Sequence, residues 1–171
     1  MRSRSFAPIA RADARVLVLG SLPGARSLAD REYYAQPQNA FWRIMAAIAG
    51  ADRALPYAER LERLREKRIA VWDVCAAAER VGSLDTSIVL ATVTPNRFEP
   101  FLRAHPEIGA IFLNGGTATR LFDKLVVPKL SPKHQALPRT RLPSTSPAHA
   151  GMPFARKLAL WEEAIAPLIG R

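Results

Sequence analysis

The sequence predicts an α/β fold in which a parallel sheet is covered by helices on both faces. Three observations carry that expectation. Short apolar, β-branched runs recur along the chain. Segments with apolar residues at helical spacing lie between and after them. The interval between successive runs suits strand–helix–strand units, whose crossovers place helices over both sides of the sheet. The 171 residues suffice for one compact core, so a single domain over residues 1–171 is expected.

In chain order, Arg15–Gly20 (RVLVLG) is an apolar run ending in glycine and reads as a buried strand. Ser21–Asn39, with two prolines, a glycine and paired tyrosines, reads as a long ordered loop. Phe41, Ile44, Met45 and Ile48 share a helical face, predicting a helix over Ala40–Ala49. Tyr57–Lys67 predicts a second helix, with Leu61 and Leu64 turned inward. Ile69–Trp72 (IAVW) is the next strand, followed by an irregular stretch to Pro95. Asn96 with Glu99 three residues later has the form of a capping box for a helix reaching Ala104. Gly109–Leu113 (GAIFL) predicts a third strand and Gly115–Val126 an amphipathic helix. Arg139–Leu142 is a weaker fourth strand leading into the loop Pro143–Gly151. A final helix is expected from near Pro153, a residue suited to a first turn, to about Ile165. Ligands of such sheets sit beyond the carboxyl ends of the strands, so the loops Gly20–Asn39 and Pro143–Gly151 should form the mouth of a site.

Composition narrows the function classes. Apolar residues make up 49% of the chain, which excludes disorder. No apolar stretch approaches the roughly 20 residues of a membrane span. The basic N-terminal segment lacks the apolar region of a secretory signal. One cysteine, Cys75, permits neither an internal disulfide nor a cluster held by several thiolates. His105, His134 and His149 lack the spacing of a zinc site. A cytoplasmic protein with no metal and no cofactor is therefore expected, and a monomer is the expected state. Lysine and arginine number 25 against 15 acids, a formal charge of +10. That excess suits a polyanionic partner, nucleic acid above all, or a solvated basic surface with no partner.

Four constellations could carry chemistry. Gly20-Ser21-Leu22-Pro23-Gly24 follows the first strand directly. Its glycines allow close backbone approach to a ligand, or simply make a tight turn. It lacks the lysine of a phosphate loop and the third glycine of a dinucleotide fingerprint. Tyr33-Tyr34-Ala35-Gln36-Pro37-Gln38-Asn39-Ala40-Phe41-Trp42 combines aromatics that can stack on an unpaired base with amides that can bond its edge. Helical spacing makes Phe41 and Trp42 core residues, and Asn39 is also well placed to cap the next helix. Asn114-Gly115-Gly116 ends a buried strand, where asparagine could read a ligand or cap a helix. Pro143-Ser144-Thr145-Ser146-Pro147-Ala148-His149-Ala150 is a stiff loop whose hydroxyls and amides suit phosphate contact.

Taken in order, GSLPGARSL, YYAQPQNAFW, VWDV, GSLDTSI, FLNG and LPSTSPAHA resemble the uracil-DNA glycosylase superfamily, and within it the deoxyinosine (hypoxanthine) glycosylase branch. The resemblance runs from about Val16 to Trp161. It implies a three-layer α/β/α sandwich around a four-stranded parallel sheet, with a damaged base flipped into a pocket at the sheet's carboxyl edge. It implies substrate contacts from Gly20, Ser21, Leu22, Pro23, Gly24, Tyr34 and Asn114, with Tyr34 stacking and Asn114 reading the base. The second motif would grip DNA through Ser144, Thr145, Ser146, Pro147 and His149. The first motif carries no acid or asparagine here, and the resemblance to this branch implies that the asparagine before the Phe-Trp pair, Asn39, positions water instead. The usual second-motif histidine aligns with Ser144, and His149 follows the proline rather than preceding it. Gln36 and Gln38 stand where basic or imidazole side chains are common in the branch.

The implied partner is DNA containing deaminated bases, and the implied reaction is hydrolysis without strand cleavage, since no lysine lies in the motifs to form a Schiff base. Asp73 and Asp85 fall in family-like segments and are expected to make buried structural hydrogen bonds. Two other classes fit the residues: a catalytically degenerate DNA-binding module of the same fold, and a nucleotide- or phosphate-binding α/β enzyme that uses GSLPG as a phosphate cradle.

Overall fold

A computed structural model describes residues 2–170. In chain order its strands and α-helices are β1 (Arg2–Arg4), β2 (Val16–Gly20), α1 (Ala25–Asp30), α2 (Phe41–Ala49), α3 (Tyr57–Glu66), β3 (Ile69–Asp73), β4 (Cys75–Glu79), β5 (Thr94–Pro95), α4 (Phe98–Ala104), β6 (Ala110–Asn114), α5 (Gly116–Leu125), α6 (Pro132–Gln135), β7 (Arg139–Leu142) and α7 (Phe154–Ile169). The main sheet is four-stranded and wholly parallel, in the order β3-β2-β6-β7. The α/β/α expectation holds.

The period-2 alternation of the strands decides the two cores. Val16, Val18, Ile69, Val71, Ala110 and Phe112 face α2, α3 and α7, where Phe41, Trp42, Ile44, Met45, Leu64 and Trp161 cover them. Leu17, Leu19, Ala70, Trp72, Ile111 and Leu113 face the opposite way, onto Phe98, Phe101, Leu102, Leu121 and Phe122 of α4 and α5. Phe41 and Trp42 are thus core residues, as their spacing predicted. Each edge of the sheet is protected differently. Ile9 pairs with Val71 through bonds of 2.8 and 2.9 Å alongside β3, and β7 exposes two arginines, which discourage pairing with another chain.

Several expectations are corrected. Ser21–Asn39 is not all loop, because Ala25–Asp30 forms the short helix α1, closed by Arg31 in the left-handed region. The stretch before Pro95 is irregular only in part. Its segment Cys75–Glu79 pairs antiparallel with β1 and with β5 in a second, three-stranded sheet. No capping box forms at Asn96. The cap position is Arg97, Asn96 Nδ2 donates instead to the Asp73 carbonyl (2.8 Å), and Glu99 accepts from His134 (2.8 Å) and the Ser131 amide (3.4 Å). These bonds hold the Glu99 carboxyl down at about 2. The last helix continues past Ile165 to Ile169, carrying Pro167 in its final turn.

Candidate active site

The carboxyl ends of β2, β3 and β6 meet at one edge, and three loops close over them. The first begins at Gly20, the last residue of β2. The Gly20 and Ser21 carbonyls accept from the amides of Val74 (2.8 Å) and Cys75 (3.0 Å), which extends the β2–β3 contact past the sheet. Ser21 Oγ then donates to Asp85 Oδ1 at 2.7 Å. Gly24 stands at the N-cap of α1, and the Ala25 amide donates to Ser83 Oγ at 2.9 Å.

Residues 80–85, absent from the expected mouth, therefore wrap the GSLPG loop and are part of the site. Their anchor is Arg80, whose guanidinium is buried. It bonds the Leu22 carbonyl (3.4 Å) and the Pro23 carbonyl and pairs with Asp85 at 3.6 Å. No local pattern in the sequence signals this, since the carbonyls it holds are remote, at Leu22 and Pro23. The Leu22 and Pro23 side chains are themselves buried, so that loop offers backbone rather than side chains.

Tyr34 adopts φ +53°, a left-handed conformation rare for an aromatic residue. The turn is fixed from behind. Tyr33 Oη donates to the Ala7 carbonyl (2.9 Å), Trp42 Nε1 donates to the Tyr33 carbonyl (2.8 Å), and the Ala35 amide donates to Ser27 Oγ (3.1 Å). The result stacks the Tyr34 ring on Phe41 at 4.0 Å between centroids, 22° from parallel. Burial pushes the Tyr34 hydroxyl well above its ordinary range, so it stays protonated.

Thr145 knots the site together. It is 2% exposed, its amide donates to Asn114 Oδ1 (2.9 Å), and its hydroxyl accepts from Asn114 Nδ2 (2.9 Å). Its carbonyl accepts from the Ala40 amide at 2.9 Å, next to Asn39. Asn114 Nδ2 also reaches Tyr34 Oη at 3.3 Å. Tyr34, Asn39, Asn114 and the second-motif loop are thereby brought to one seam. Both edges of the Asn114 amide are engaged within the protein. Half-buried Asn39, one residue before the cap position Ala40, accepts the Phe41 amide on Oδ1 (2.9 Å) and so satisfies a first-turn donor of α2.

Further along the second loop, Ser144 Oγ accepts from the Ser146 amide (3.1 Å) and Ser146 Oγ from the Ala148 amide (3.2 Å). Ser144 Cβ also crowds Gly115, whose φ of +92° only glycine adopts easily. Trp161 Nε1 and Lys157 Nζ hold the loop from α7 through the carbonyls of Pro143 (2.9 Å) and His149 (3.0 Å). Pro147 and His149 are exposed, Ser144 and Ser146 half-buried. Of the five second-motif residues, Thr145 alone is turned fully inward. Gln36 and Gln38 bond each other (2.7 Å) at the loop's outer side.

One group was misjudged from sequence. Asp73, the last residue of β3, is 3% exposed, and its Oδ2 has no hydrogen-bond partner among the described residues. Its Oδ1 lies 2.7 Å from where a Cβ on Gly20 would stand, the same distance as Tyr34 Oη. Burial pushes the Asp73 carboxyl up to about 7, Asp85 adds to the rise, and Arg80 opposes it. The expected structural hydrogen bond to this side chain is absent. Only the paired aspartates of VWDV and GSLDTSI hinted at the cluster.

Two surface hollows, of about 310 and 410 Å³, lie away from the seam. One is at the opposite sheet end beside Arg15 and Ile169, the other between α5 and β7. Among the described residues, no three His, Cys, Asp or Glu side chains gather as a metal ion would require, and no helix is long and apolar enough to cross a membrane. Cys75 is wholly buried, with its thiol pushed up to about 12. Cys75→Ser should therefore leave turnover unchanged. Burying a hydroxyl there should lower unfolding stability by roughly 1–2 kcal/mol, read by urea melts.

The comparisons agree with this geometry. A Methanosarcina barkeri protein named hypoxanthine DNA glycosylase is 34% identical, over 70% of this chain and 90% of its own length. A Methanosarcina acetivorans protein of the same name is 33% identical, over 69% and 74%. A solution NMR structure of a candidate uracil DNA glycosylase from Methanosarcina acetivorans superposes with a TM-score of 0.80. It is 28% identical and covers 99% of this chain and 100% of its own. The family described as the uracil DNA glycosylase superfamily matches residues 7–168. With nearly its whole length matched and the four-stranded parallel sheet in place, the chain belongs to the uracil DNA glycosylase superfamily.

Proposed function

We propose that the chain is a monofunctional DNA glycosylase that hydrolyses the N-glycosidic bond of deaminated bases, hypoxanthine ahead of uracil. The coarser part, a DNA glycosylase acting on N-glycosyl bonds, is supported by the family and by the names of the relatives. The observation that carries the finer reading is the Thr145 knot, which gathers Tyr34, Asn39 and Asn114 at the carboxyl edge of the sheet.

In this reading, the flipped base lies over side-chain-free Gly20. Tyr34 flanks it, and Asn114 turns its amide to the base as the 3.3 Å Tyr34 bond gives way. Asn39 Oδ1 uses one lone pair for the Phe41 amide. The second lone pair accepts a hydrogen bond from water, which leaves a lone pair on the water oxygen aimed at C1′. A carboxamide is no base, so its contribution is positioning. Water attacks a sugar already carrying positive charge, and needs little activation. The exposed part of the Ser144–His149 loop and the basic surface would hold phosphates, making binding fall steeply with salt.

The test uses labelled oligonucleotides with one hypoxanthine, uracil or xanthine, single-stranded and opposite each normal base, incubated in EDTA and divided into untreated and hot-alkali samples. Alkali-dependent cleavage, fastest at hypoxanthine, is expected. Cleavage without alkali would point to an amine nucleophile, with Lys157 the amine already bound to the loop. No cleavage by folded, DNA-bound protein would favour the degenerate module. That outcome has its own motivation, because both asparagines already serve structural bonds.

A further inference from the structure

We propose that Asp73 is the general acid of the reaction, donating its carboxyl proton to a ring nitrogen of the departing purine. The inference rests on the glycosylase reading above and names a residue which that reading does not use. Its basis is geometric. Asp73 ends β3 beside Gly20, which ends β2, and Asp73 Oδ1 and Tyr34 Oη both border the volume a Gly20 side chain would fill. As it stands that volume is too tight even for a Cβ, so a planar base meets the carboxyl once Tyr34, held to Asn114 by a 3.3 Å bond, shifts aside. The other oxygen, Oδ2, is buried without a partner. A carboxylate left unpaired in that position would be costly, and a carboxylic acid far less so.

The groups around Asp73 agree on its protonation. Asp85, itself raised by burial, repels a second negative charge. The Tyr33, Tyr34 and Cys75 side chains that face it are neutral, each pushed upward by burial and by Asp73 itself. Among the described residues Arg80 is the one cation acting on it, and the Arg80 terminal nitrogens are already engaged by Asp85 at 3.6 Å and by two carbonyls. The carboxyl thus holds its proton to about pH 7.

The step balances as follows. The C1′–N9 bond breaks with its electron pair moving to the base, and the Asp73 proton goes to N3 or N7 as that charge develops, so hypoxanthine leaves neutral. Water adds to C1′ and releases one proton, which restores the acid. Uracil offers no second free ring nitrogen and leaves as its anion, so it gains less from the acid.

Single-turnover rates on hypoxanthine and uracil duplexes, measured from pH 5.5 to 9, test this. The wild-type rate on hypoxanthine should fall tenfold per unit above about pH 7, as the acid is lost. Asp73→Asn should lower the plateau roughly 100-fold, flatten that limb and harm uracil release less. Asp85→Asn removes the repelling charge and should move the limb to lower pH while Asp73 stays in place. That second variant keeps the test open if Asp73→Asn does not fold. An unchanged limb in Asp73→Asn, an unmoved limb in Asp85→Asn, or equal losses on both bases would overturn the proposal. Wild-type protein inactive on every base is a separate outcome, one that brings down the glycosylase reading and this inference with it.

Discussion

Asn39→Ala is expected to lose turnover by about 100-fold or more, the scale of a mispositioned attacking group, with little change in DNA affinity. The structure adds a second effect. Asn39 Oδ1 accepts the Phe41 amide at 2.9 Å at the start of α2, so the alanine variant should also lose about 1 kcal/mol of stability. The two effects separate in Asn39→Ser. Serine caps well, so melting should recover. Its shorter side chain does not reach where the carboxamide held water, so single-turnover rates should stay low. Recovery of both together would show that Asn39 acts only by capping, and that water is positioned by Ser21, Ser144 or His149.

The strands and long helices were legible because each shows its own periodicity. Val16–Gly20 and Arg139–Leu142 are apolar or alternating runs bounded by turn residues, and the sheet followed from their order. What escaped was set by contacts remote in sequence. Cys75–Glu79, reading CAAAE, has little strand propensity, and is a strand because β1 and β5 lend it partners. Helix α1 is six residues long, too short for a periodic signal. The expected end of α7 near Ile165 fell short of Ile169, and Pro167 lies inside the helix. In the last turn, a proline removes one amide donor and the helix tolerates it.

The site divides the same way. Tyr34, Asn39 and Asn114 could be named from motifs, but not the knot that gathers them, because Thr145 reads as one more hydroxyl in a Ser-Thr-Pro loop. Asp73 was expected to make a structural bond because most buried carboxylates do. Only the surroundings reveal that Oδ2 lacks one. Arg80 likewise looks like a surface cation until Leu22, Pro23 and Asp85 are seen around it. A side chain's chemical type was readable from sequence; its state of satisfaction was not.

Gly20→Ala should damage both turnover and stability. An added Cβ would lie 2.7 Å from both Asp73 Oδ1 and Tyr34 Oη, inside any real contact distance. Neither neighbour yields without cost. Asp73 is fixed at the end of β3, and Tyr34 is stacked on Phe41 and bonded to Asn114. Overpacking of this kind costs roughly 1–3 kcal/mol, so the melting temperature should drop while the protein still folds. Turnover should fall by about 100-fold or more, since the methyl both fills the space proposed for the base and displaces the groups beside it. Gly109→Ala is the matched control, since a Cβ there meets nothing within 4 Å. Its turnover should be unchanged, which separates a local effect from a general loss of glycine. A folded Gly20→Ala protein with wild-type single-turnover rates would mean that the base never enters the space between Asp73 and Tyr34, and the pocket would have to be sought on the outer side of the Asn39 turn.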